Sequence, residues 1–249
     1  MQLENKVALI TGGNRGIGLA VAHLFAQAGA KVMLMARDQL RGESEAERIP
    51  HAKFVQGDVT TAEACRRAVA ETVRVFGGLD VLVNCAGIIF RNRTVEQTTE
   101  AEWDATFNVN VRGTFLMCKY AMPALRERRG CIVNLSSYVG LVGFRGASAY
   151  AASKAAIVNL TRSMALDHAR ESVRVNAVCP GSVDTEMIHT AWEQFGDVQA
   201  AQKLWAEKHP LGRIARPEEV AQAVLFLASA EASFITGTAL AVDGGLTAG

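Results

Sequence analysis

Short apolar runs alternate with longer amphipathic segments along the whole chain. The runs are rich in Val, Ile and Leu and nearly continuous, which is typical of strands covered by helices on both faces. They predict strands at 6–11, 31–36, 53–56, 81–84, 131–135, 174–178 and 239–242. Helical periodicity predicts helices near 17–28, 39–48, 62–76, 101–128, 149–169 and 217–229.

This alternation predicts an α/β fold, a doubly wound parallel sheet of seven strands with helices on both faces and right-handed crossovers. No linker, repeat or low-complexity segment interrupts the pattern, so we expect one domain over residues 1–249. The stretch 183–238 carries two helical patterns and a Trp192–Phe195 cluster. An insertion of this length is a candidate lid over a site.

Composition narrows the class of partner. The chain is 49% apolar and 20% charged, with a net charge of +1. This balance suits a soluble protein with a well-buried core, and it gives no reason to expect a nucleic acid or a membrane as partner. The five cysteines and five histidines are scattered. We therefore expect reduced thiols in a cytoplasmic protein and no metal site.

A glycine-rich turn follows the first predicted strand and precedes a helix. It reads TGGNRGIG over residues 11–18. Gly12, Gly16 and Gly18 allow a tight turn and let a pyrophosphate approach the helix N-terminus, whose free N–H groups favour an anion. A turn of this kind can be purely structural, but its position between strand and helix favours dinucleotide binding.

Tyr150 and Lys154 lie one helical turn apart in the stretch SAYAASKAAI. Residues i and i+4 share a helix face, so both side chains can reach one point. A free tyrosine has a pKa of about 10, and a neighbouring cation favours the phenolate. The pair therefore suits acid–base catalysis, although the stretch alone also fits an exposed pair without function.

Several motifs, in this order and spacing, resemble those of the short-chain dehydrogenase/reductase family. They are the Gly-x-x-x-Gly-x-Gly turn, Asn84-Cys85-Ala86-Gly87, Asn110, Ser137, Tyr150 with Lys154, and Pro180-Gly181. The resemblance continues to TGTALAVDGG at 236–245 and covers essentially the whole chain. It implies a single Rossmann-type NAD(P)-binding domain, with a cofactor half at about 1–130 and a catalytic half and lid at about 131–249.

The resemblance also implies which residues contact the cofactor. These are Gly12, Arg15, Gly16, Ile17, Gly18, Arg37, Asp58, Val59, Asn84, Ala86, Gly87, Tyr150, Lys154, Pro180, Gly181, Val183 and Thr185. Cys85 departs from the usual Asn-Asn-Ala-Gly motif. We expect it to pack, with the loss of a hydrogen bond that supports the fourth strand.

The end of the second strand bears on the choice of cofactor. NAD-binding folds usually carry an acidic residue there, which holds the adenosine ribose. Here the strand ends at Ala36 followed by Arg37, and Arg15 lies in the glycine-rich turn. Two guanidiniums suit a 2′-phosphate, which predicts NADP(H) over NAD(H). The alternative is that both arginines are solvated and that Asp38 reaches the ribose.

By the same resemblance, Tyr150 is the general acid in carbonyl reduction and the general base in alcohol oxidation. Ser137 holds the substrate oxygen, and its neighbour Ser136 is the competing candidate. Lys154 lowers the pKa of Tyr150 and binds the nicotinamide ribose, while Asn110 holds a water in a proton relay. The predicted reaction is hydride transfer between a ketone and a secondary alcohol.

The sequence constrains the substrate pocket and the assembly less tightly. Family analogy places Tyr138, Phe144, Arg145, His189 and Trp192 at the pocket mouth. Arg91 and Arg93 could bind an anionic substrate or lie in a solvated loop or subunit contact, and Trp192 could simply pack the lid. The rim suits a small cyclic or polyol-like ketone or alcohol, and a thioester or sugar also stays open. The resemblance further implies a homotetramer built through the long helices and the C-terminal strand.

Other functions stay open. One is an NAD(H)-dependent alcohol or polyol dehydrogenase of the same family. Another is a dinucleotide-binding sensor without turnover, which predicts loss of one of Asn110, Ser137, Tyr150 and Lys154, yet all are present. Epimerases and dehydratases of the extended relatives share Tyr-x-x-x-Lys but differ in glycine spacing and in C-terminal length.

Overall fold

A seven-stranded parallel sheet forms the centre of the protein, whose computed structural model describes all 249 residues. The strands are β1 Val7–Thr11, β2 Lys31–Ala36, β3 Ala52–Gln56, β4 Val81–Asn84, β5 Cys131–Leu135, β6 Arg174–Pro180 and β7 Ala239–Val242. Their spatial order is β3-β2-β1-β4-β5-β6-β7. The fold class predicted from the hydrophobic pattern is confirmed.

Nine α-helices surround the sheet. They are α1 Gly16–Gln27, α2 Gln39–Arg48, α3 Ala62–Phe76, α4 Glu100–Phe107, α5 Gly113–Arg128, α6 Ser148–His168, α7 Glu186–Phe195, α8 Val198–Glu207 and α9 Pro217–Ala228. No helix is long and apolar enough to cross a bilayer.

Successive residues of the central strands pack on opposite faces of the sheet, as the period of two requires. Ile10 belongs to an apolar cluster that includes Phe25 of α1 and Val224 of α9. Its neighbour Leu9 belongs to a second cluster, which includes Met117 of α5. Because both faces are covered, the strands are apolar throughout, and their bounds are readable from the sequence.

One predicted helix is wrong. The pattern at 101–128 predicts a single helix, whereas the structure has α4 and α5 joined by a π-helical turn at Asn108–Arg112. The stretch 183–238 is also divided more finely than predicted, since α7 and α8 form a small layer that precedes α9. Ile188, Trp192 and Ala201 form the buried core of that layer.

The order of the strands reverses between β1 and β4, and a crevice opens there at the carboxyl ends of the strands. The two strand ends are joined by Thr11, whose Oγ1 accepts hydrogen bonds of 3.2 Å from the backbone N–H groups of Cys85 and Ala86. The Cys85 side chain packs against the core and forms no hydrogen bond, as predicted. The crevice therefore has a fixed floor.

Candidate active site

A cavity of about 1190 Å³ opens at this crevice. The glycine-rich turn, the ends of β2, β3 and β4, and the helix α7 line it. Its volume exceeds that of an ordinary small-molecule pocket, which is about 300–1,000 Å³. The space therefore suits an extended ligand such as a dinucleotide together with a small substrate.

The glycine-rich turn leaves no room for side chains. Gly12 has φ +64°, and a Cβ added at Gly18 would lie 2.3 Å from the Gly12 carbonyl oxygen. The following helix α1 has no side-chain cap at its N-terminus. Its free N–H groups therefore face an open cradle, which fits a pyrophosphate. These residues suit the dinucleotide that the sequence predicts.

Three charged groups meet at one end of the cavity, which we call the adenosine end and define by Arg15, Arg41 and Glu186. The Glu186 carboxylate, on α7, lies 2.5 Å from an Arg41 nitrogen and 3.5 Å from an Arg15 nitrogen. These arginines hold the pKa of Glu186 below its usual range. Arg37 lines the same end, is exposed and has no ion pair.

The acidic residues at this end are engaged locally. Asp38 lines the cavity and caps α2 by accepting a 3.1 Å hydrogen bond from the Arg41 N–H. Asp58 and Val59 also line it, and Asp58 accepts from the Thr60 N–H at 2.9 Å. A second carboxylate oxygen of Asp38 stays available to a ribose.

The remaining predicted cofactor residues divide into two groups. Gly16, Ile17, Ala86, Gly87 and Thr185 line the cavity, whereas Asn84, Tyr150, Lys154, Pro180, Gly181 and Val183 do not. The buried Asn84 side chain instead donates to Asn134 Oδ1 at 2.8 Å. It ties β4 to β5 beneath the crevice, which corrects its predicted place among the cofactor contacts. Val183 is buried and pairs with Ala215.

Ser137 and Tyr150 come together from two elements at the carboxyl edge of the sheet. Ser137 follows β5 and begins a short helical turn, and its hydroxyl accepts from the Val139 N–H at 3.4 Å. The same hydroxyl donates to the Pro180 carbonyl at 3.5 Å. Tyr150 lies in the first turn of α6, near enough to Ser137 for that hydroxyl to lower the pKa of the phenol against the larger rise that burial causes. The competing Ser136 is occupied, because its hydroxyl donates to the Lys154 carbonyl at 2.8 Å.

The π-helical turn explains how an asparagine can lie inside a helix. Asn110 is fully buried. Its Oδ1 accepts from the Ile88 N–H at 2.9 Å, and its Nδ2 donates to the Ile88 carbonyl and to Ser153 Oγ, both at 3.0 Å. Both amide N–H groups are therefore used, and only one lone pair of Oδ1 is free for a water.

The Lys154 ammonium is buried beneath the cavity. It donates to the Leu135 carbonyl at 2.7 Å and lies 5.6 Å from the centre of the Tyr150 ring. Burial lowers the pKa of Lys154 to about 8. A Cβ added at Gly87 would lie 3.6 Å from Lys154 Nζ and 3.3 Å from Asn110 Oδ1. Only the Gly87 backbone separates these groups from the cavity.

The groups that shift the pKa of Tyr150 differ from the predicted one. Burial raises the pKa of the phenol, while Arg91 and the hydrogen bond with Ser137 oppose the rise. Lys154 is not among the groups that shift this pKa, and its ammonium faces the Leu135 carbonyl. The lowering of the Tyr150 pKa by Lys154 stays a prediction. The cation that favours the phenolate is Arg91.

The predicted substrate residues do not form one group. Arg91 lines the cavity. Tyr138 packs edge-on against Phe144 at 5.9 Å, and burial raises the pKa of Tyr138 to about 12. Arg145 and His189 are exposed, and His189 pairs with Asp184 at 2.5 Å.

Trp192 is not part of the pocket. It lies in the core between α7 and α8 and is 5% exposed. The prediction that it borders the substrate is wrong, and its alternative role as lid packing is the observed one. The spacing of apolar residues alone does not show which face of a lid helix packs against its neighbour and which face borders the pocket.

Comparison with known proteins fits this arrangement of motifs. A family model described as enoyl-(acyl carrier protein) reductase matches residues 12–247. The chain belongs to the short-chain dehydrogenase/reductase family. It is thus an NAD(P)-dependent oxidoreductase acting on an alcohol/carbonyl pair.

Members of this family align with the chain from end to end. The 2-(S)-hydroxypropyl-CoM dehydrogenase 3 of Xanthobacter autotrophicus is 44% identical over 99% of this chain and 98% of its own length. The trans-4-hydroxycyclohexanecarboxylate dehydrogenase of Sinomonas cyclohexanicum is 42% identical over 100% and 95%. The structure of Thermoplasma acidophilum aldohexose dehydrogenase superposes with a TM-score of 0.92 at 38% identity, covering 99% of this chain and 96% of that one.

Sequence reasoning within the family pattern missed Arg41 and Glu186. Arg41 lies in the first turn of α2, directly after the carboxyl end of β2, so its position at the cavity was readable from the predicted elements. Glu186 carried no such signal. Its approach to Arg15 and Arg41 depends on how α7 folds back over the cavity.

Proposed function

We propose that the protein interconverts a ketone and a secondary alcohol with NADP(H), and that Tyr150 is the general acid and base. The observation that carries this proposal is the placement of Ser137, just after β5, and Tyr150, in the first turn of α6, at the same carboxyl edge of the sheet. There the hydroxyl lowers the pKa of the phenol against the larger rise that burial causes. Lys154 Nζ and Asn110 Oδ1 lie directly behind Gly87, which lines the cavity with its glycine cradle. A phenol, a hydroxyl and a hydride donor together suffice for carbonyl reduction.

The residues have separate tasks. The bound nicotinamide supplies or accepts the hydride. In reduction, Tyr150 gives its proton to the substrate oxygen, and Ser137 donates a hydrogen bond to that oxygen as negative charge develops. Because burial keeps the phenol protonated at neutral pH, the site suits reduction. Lys154 and Asn110 hold the ribose and a relay water beneath Gly87.

The preference for NADP(H) rests on the adenosine end. Arg15, Arg37 and Arg41 line it, and guanidiniums form charge-assisted hydrogen bonds with a phosphate. The competing proposal is an NAD(H)-dependent alcohol or polyol dehydrogenase, which Asp38 at the same end favours. Measuring the turnover of one alcohol with NADP and with NAD distinguishes the two proposals. A preference for NAD would assign the ribose contact to Asp38.

The experiment that tests the proposal is Tyr150→Phe, with Tyr120→Phe on the far helix α5 as the matched control. We expect Tyr150→Phe to lower kcat about 10²- to 10⁴-fold, the usual contribution of a general acid, with NADPH binding retained. Absorbance of the reduced nicotinamide measures turnover. Equal activity of the two variants would exclude Tyr150 as the acid and favour the sensor.

The relatives define a range of substrates. Their names specify a hydroxypropyl group, a hydroxylated cyclohexane ring and an aldohexose. We propose a small substrate of the same kind, with the alcohol carbon as the shared part. We also propose a homotetramer, supported by the exposed Phe115 on α5 and Leu166 on α6. Light scattering that gives the mass of a single 26.7 kDa chain would disprove it.

A further inference from the structure

Arg91 is a half-buried arginine on the loop after β4, and it lines the cavity near the phenols of Tyr150 and Tyr138. We call this part of the cavity, defined by Arg91, the catalytic end. Arg91 forms no ion pair and donates no hydrogen bond to any residue of the protein. The neighbouring arginines are different. Arg93, two positions along the same loop, is exposed and pairs with Glu102 at 3.5 Å. Arg15 and Arg41 share Glu186.

An uncompensated guanidinium in this position is costly. Removing a charge from water without a counter-ion is unfavourable, and burial accordingly lowers the pKa of Arg91. Its only nearby titratable partners are the phenols of Tyr150 and Tyr138, which are neutral at pH 7. The protein therefore places a cation beside the reacting group and supplies no anion for it.

The loop that carries Arg91 is held at both ends. Three residues before Arg91, the Asn110 amide binds both the N–H and the carbonyl of Ile88. Two residues after it, Arg93 pairs with Ala147 and donates its N–H to the Gly146 carbonyl at 3.0 Å. Gly146 and Ala147 lead directly into α6, which carries Tyr150. The backbone on both sides of Arg91 is thus fixed relative to the helix that carries Tyr150.

We propose that Arg91 binds an oxyanion of the substrate, so that the natural substrate is an organic acid whose ketone or alcohol lies within one small-molecule length of its acidic group. The inference rests on the proposed function and narrows its substrate. A guanidinium offers a planar fork of donors that matches a carboxylate, and a sulfonate presents the same oxygens. Arg91 then orients the carbonyl toward Tyr150 and Ser137.

The test uses the NADPH-loaded protein in the direction of reduction, with small keto acids as probes. Acetoacetate, levulinate and oxocyclohexanecarboxylate are each compared with their methyl esters, and sulfoacetone with acetone. Reduction needs the protonated phenol, so loss of a cation beside Tyr150 does not by itself slow it. Binding of each acid to the NADPH complex is measured in parallel by quenching of nicotinamide fluorescence.

We expect at least one acid to be favoured over its ester through a lower KM. Arg91→Gln should raise the KM for that acid about 10- to 100-fold, the usual effect of losing a hydrogen bond to a charged group, and change the KM for the ester much less. Arg91→Lys should recover part of the loss. Arg93→Gln removes an arginine of the same cavity that is already paired with Glu102, so it should raise the KM for the acid much less than Arg91→Gln does. Whether the carboxylates or the sulfonate respond identifies the oxyanion.

Three results would overturn the inference. Equal loss for acid and ester would mean that Arg91 acts only through Tyr150. Weaker NADPH binding in Arg91→Gln would assign the anion to the cofactor. If no acid binds in an Arg91-dependent way, the substrate is neutral, and reduction of the esters would still uphold the proposed function. Melting temperatures show whether each variant is folded.

Discussion

The two ends of the cavity treat positive charge in opposite ways. At the adenosine end, Arg15 and Arg41 are balanced by a carboxylate of the protein, Glu186. At the catalytic end, Arg91 has no acidic partner and faces two phenols. One end holds an internal counter-ion before any ligand arrives, and the other holds none for Arg91.

This difference predicts two modes of anion binding. At the adenosine end a ligand anion competes with a carboxylate of the protein, and at the catalytic end it binds an unpaired guanidinium. A phosphate that binds Arg15 or Arg41 competes with Glu186, so part of its attraction to these two arginines is offset by the ion pairs it breaks. An anion that reaches Arg91 breaks no existing pair and relieves an unfavourable charge. Specificity for the substrate acid is therefore expected to be sharper than specificity for the cofactor phosphate.

The largest effect should come from removing the cations at the adenosine end. We expect Arg15→Gln combined with Arg41→Gln to weaken NADPH binding about 10- to 100-fold, since charge-assisted hydrogen bonds contribute about 1.5–3 kcal/mol each and both sites are solvated. NADH binding should change little. Titration of nicotinamide fluorescence measures both constants, and equal weakening of the two would remove the 2′-phosphate from this end.

A smaller effect is expected when the internal counter-ion is removed. Glu186→Gln should tighten NADPH binding by at most about fivefold, because exposed ion pairs contribute about 0–1 kcal/mol. Glu193→Gln, an exposed position on the same helix without an ion pair, is the matched control. Weaker NADPH binding in Glu186→Gln would show that Glu186 holds the arginines in place and does not compete with the phosphate.

The smallest expected effect is a shift in the pH dependence of alcohol oxidation, and it tests the role of Arg91 at the catalytic end. Alcohol oxidation needs the phenolate, so its rate rises with pH through the pKa of Tyr150, which burial raises and Arg91 lowers. Without the cation this pKa is higher. We therefore expect Arg91→Gln to shift the oxidation profile for a neutral alcohol to higher pH. A profile that stays in place would mean that the Tyr150 pKa is independent of Arg91.

The centre of the sheet was predictable because its strands, such as β1, β4 and β5, are buried on both faces. Strands such as β2 and β4 are apolar runs bounded by polar or glycine residues, and their observed limits equal the predicted ones. β6 extends two residues further than predicted, through Cys179 and Pro180, because it pairs with β7 to its end. The hydrophobic pattern therefore predicts the limits of a strand wherever the strand is buried along its whole length.

The electrostatics of the site were not predictable in this way. The sequence places Tyr150 and Lys154 one turn apart, but only the fold shows that the ammonium turns to the Leu135 carbonyl. Arg91 was one of two arginines in a loop, and the contact of Arg93 with Glu102 is what distinguishes them. Such differences depend on tertiary contacts, which produce no periodic pattern in the sequence.

The π-helical turn at Asn108–Arg112 makes the length of the chain between α4 and α5 as important as its composition. Each residue of an α-helix rotates the chain by about 100°, so one residue fewer would turn α4 by that angle relative to α5. Asn110 would then leave the Ile88 backbone, and the loop with Arg91 would lose one of its two anchors. A redesigned chain that folded 100–128 as one regular helix would retain all the site residues, but Asn110 and the loop with Arg91 would no longer be in position.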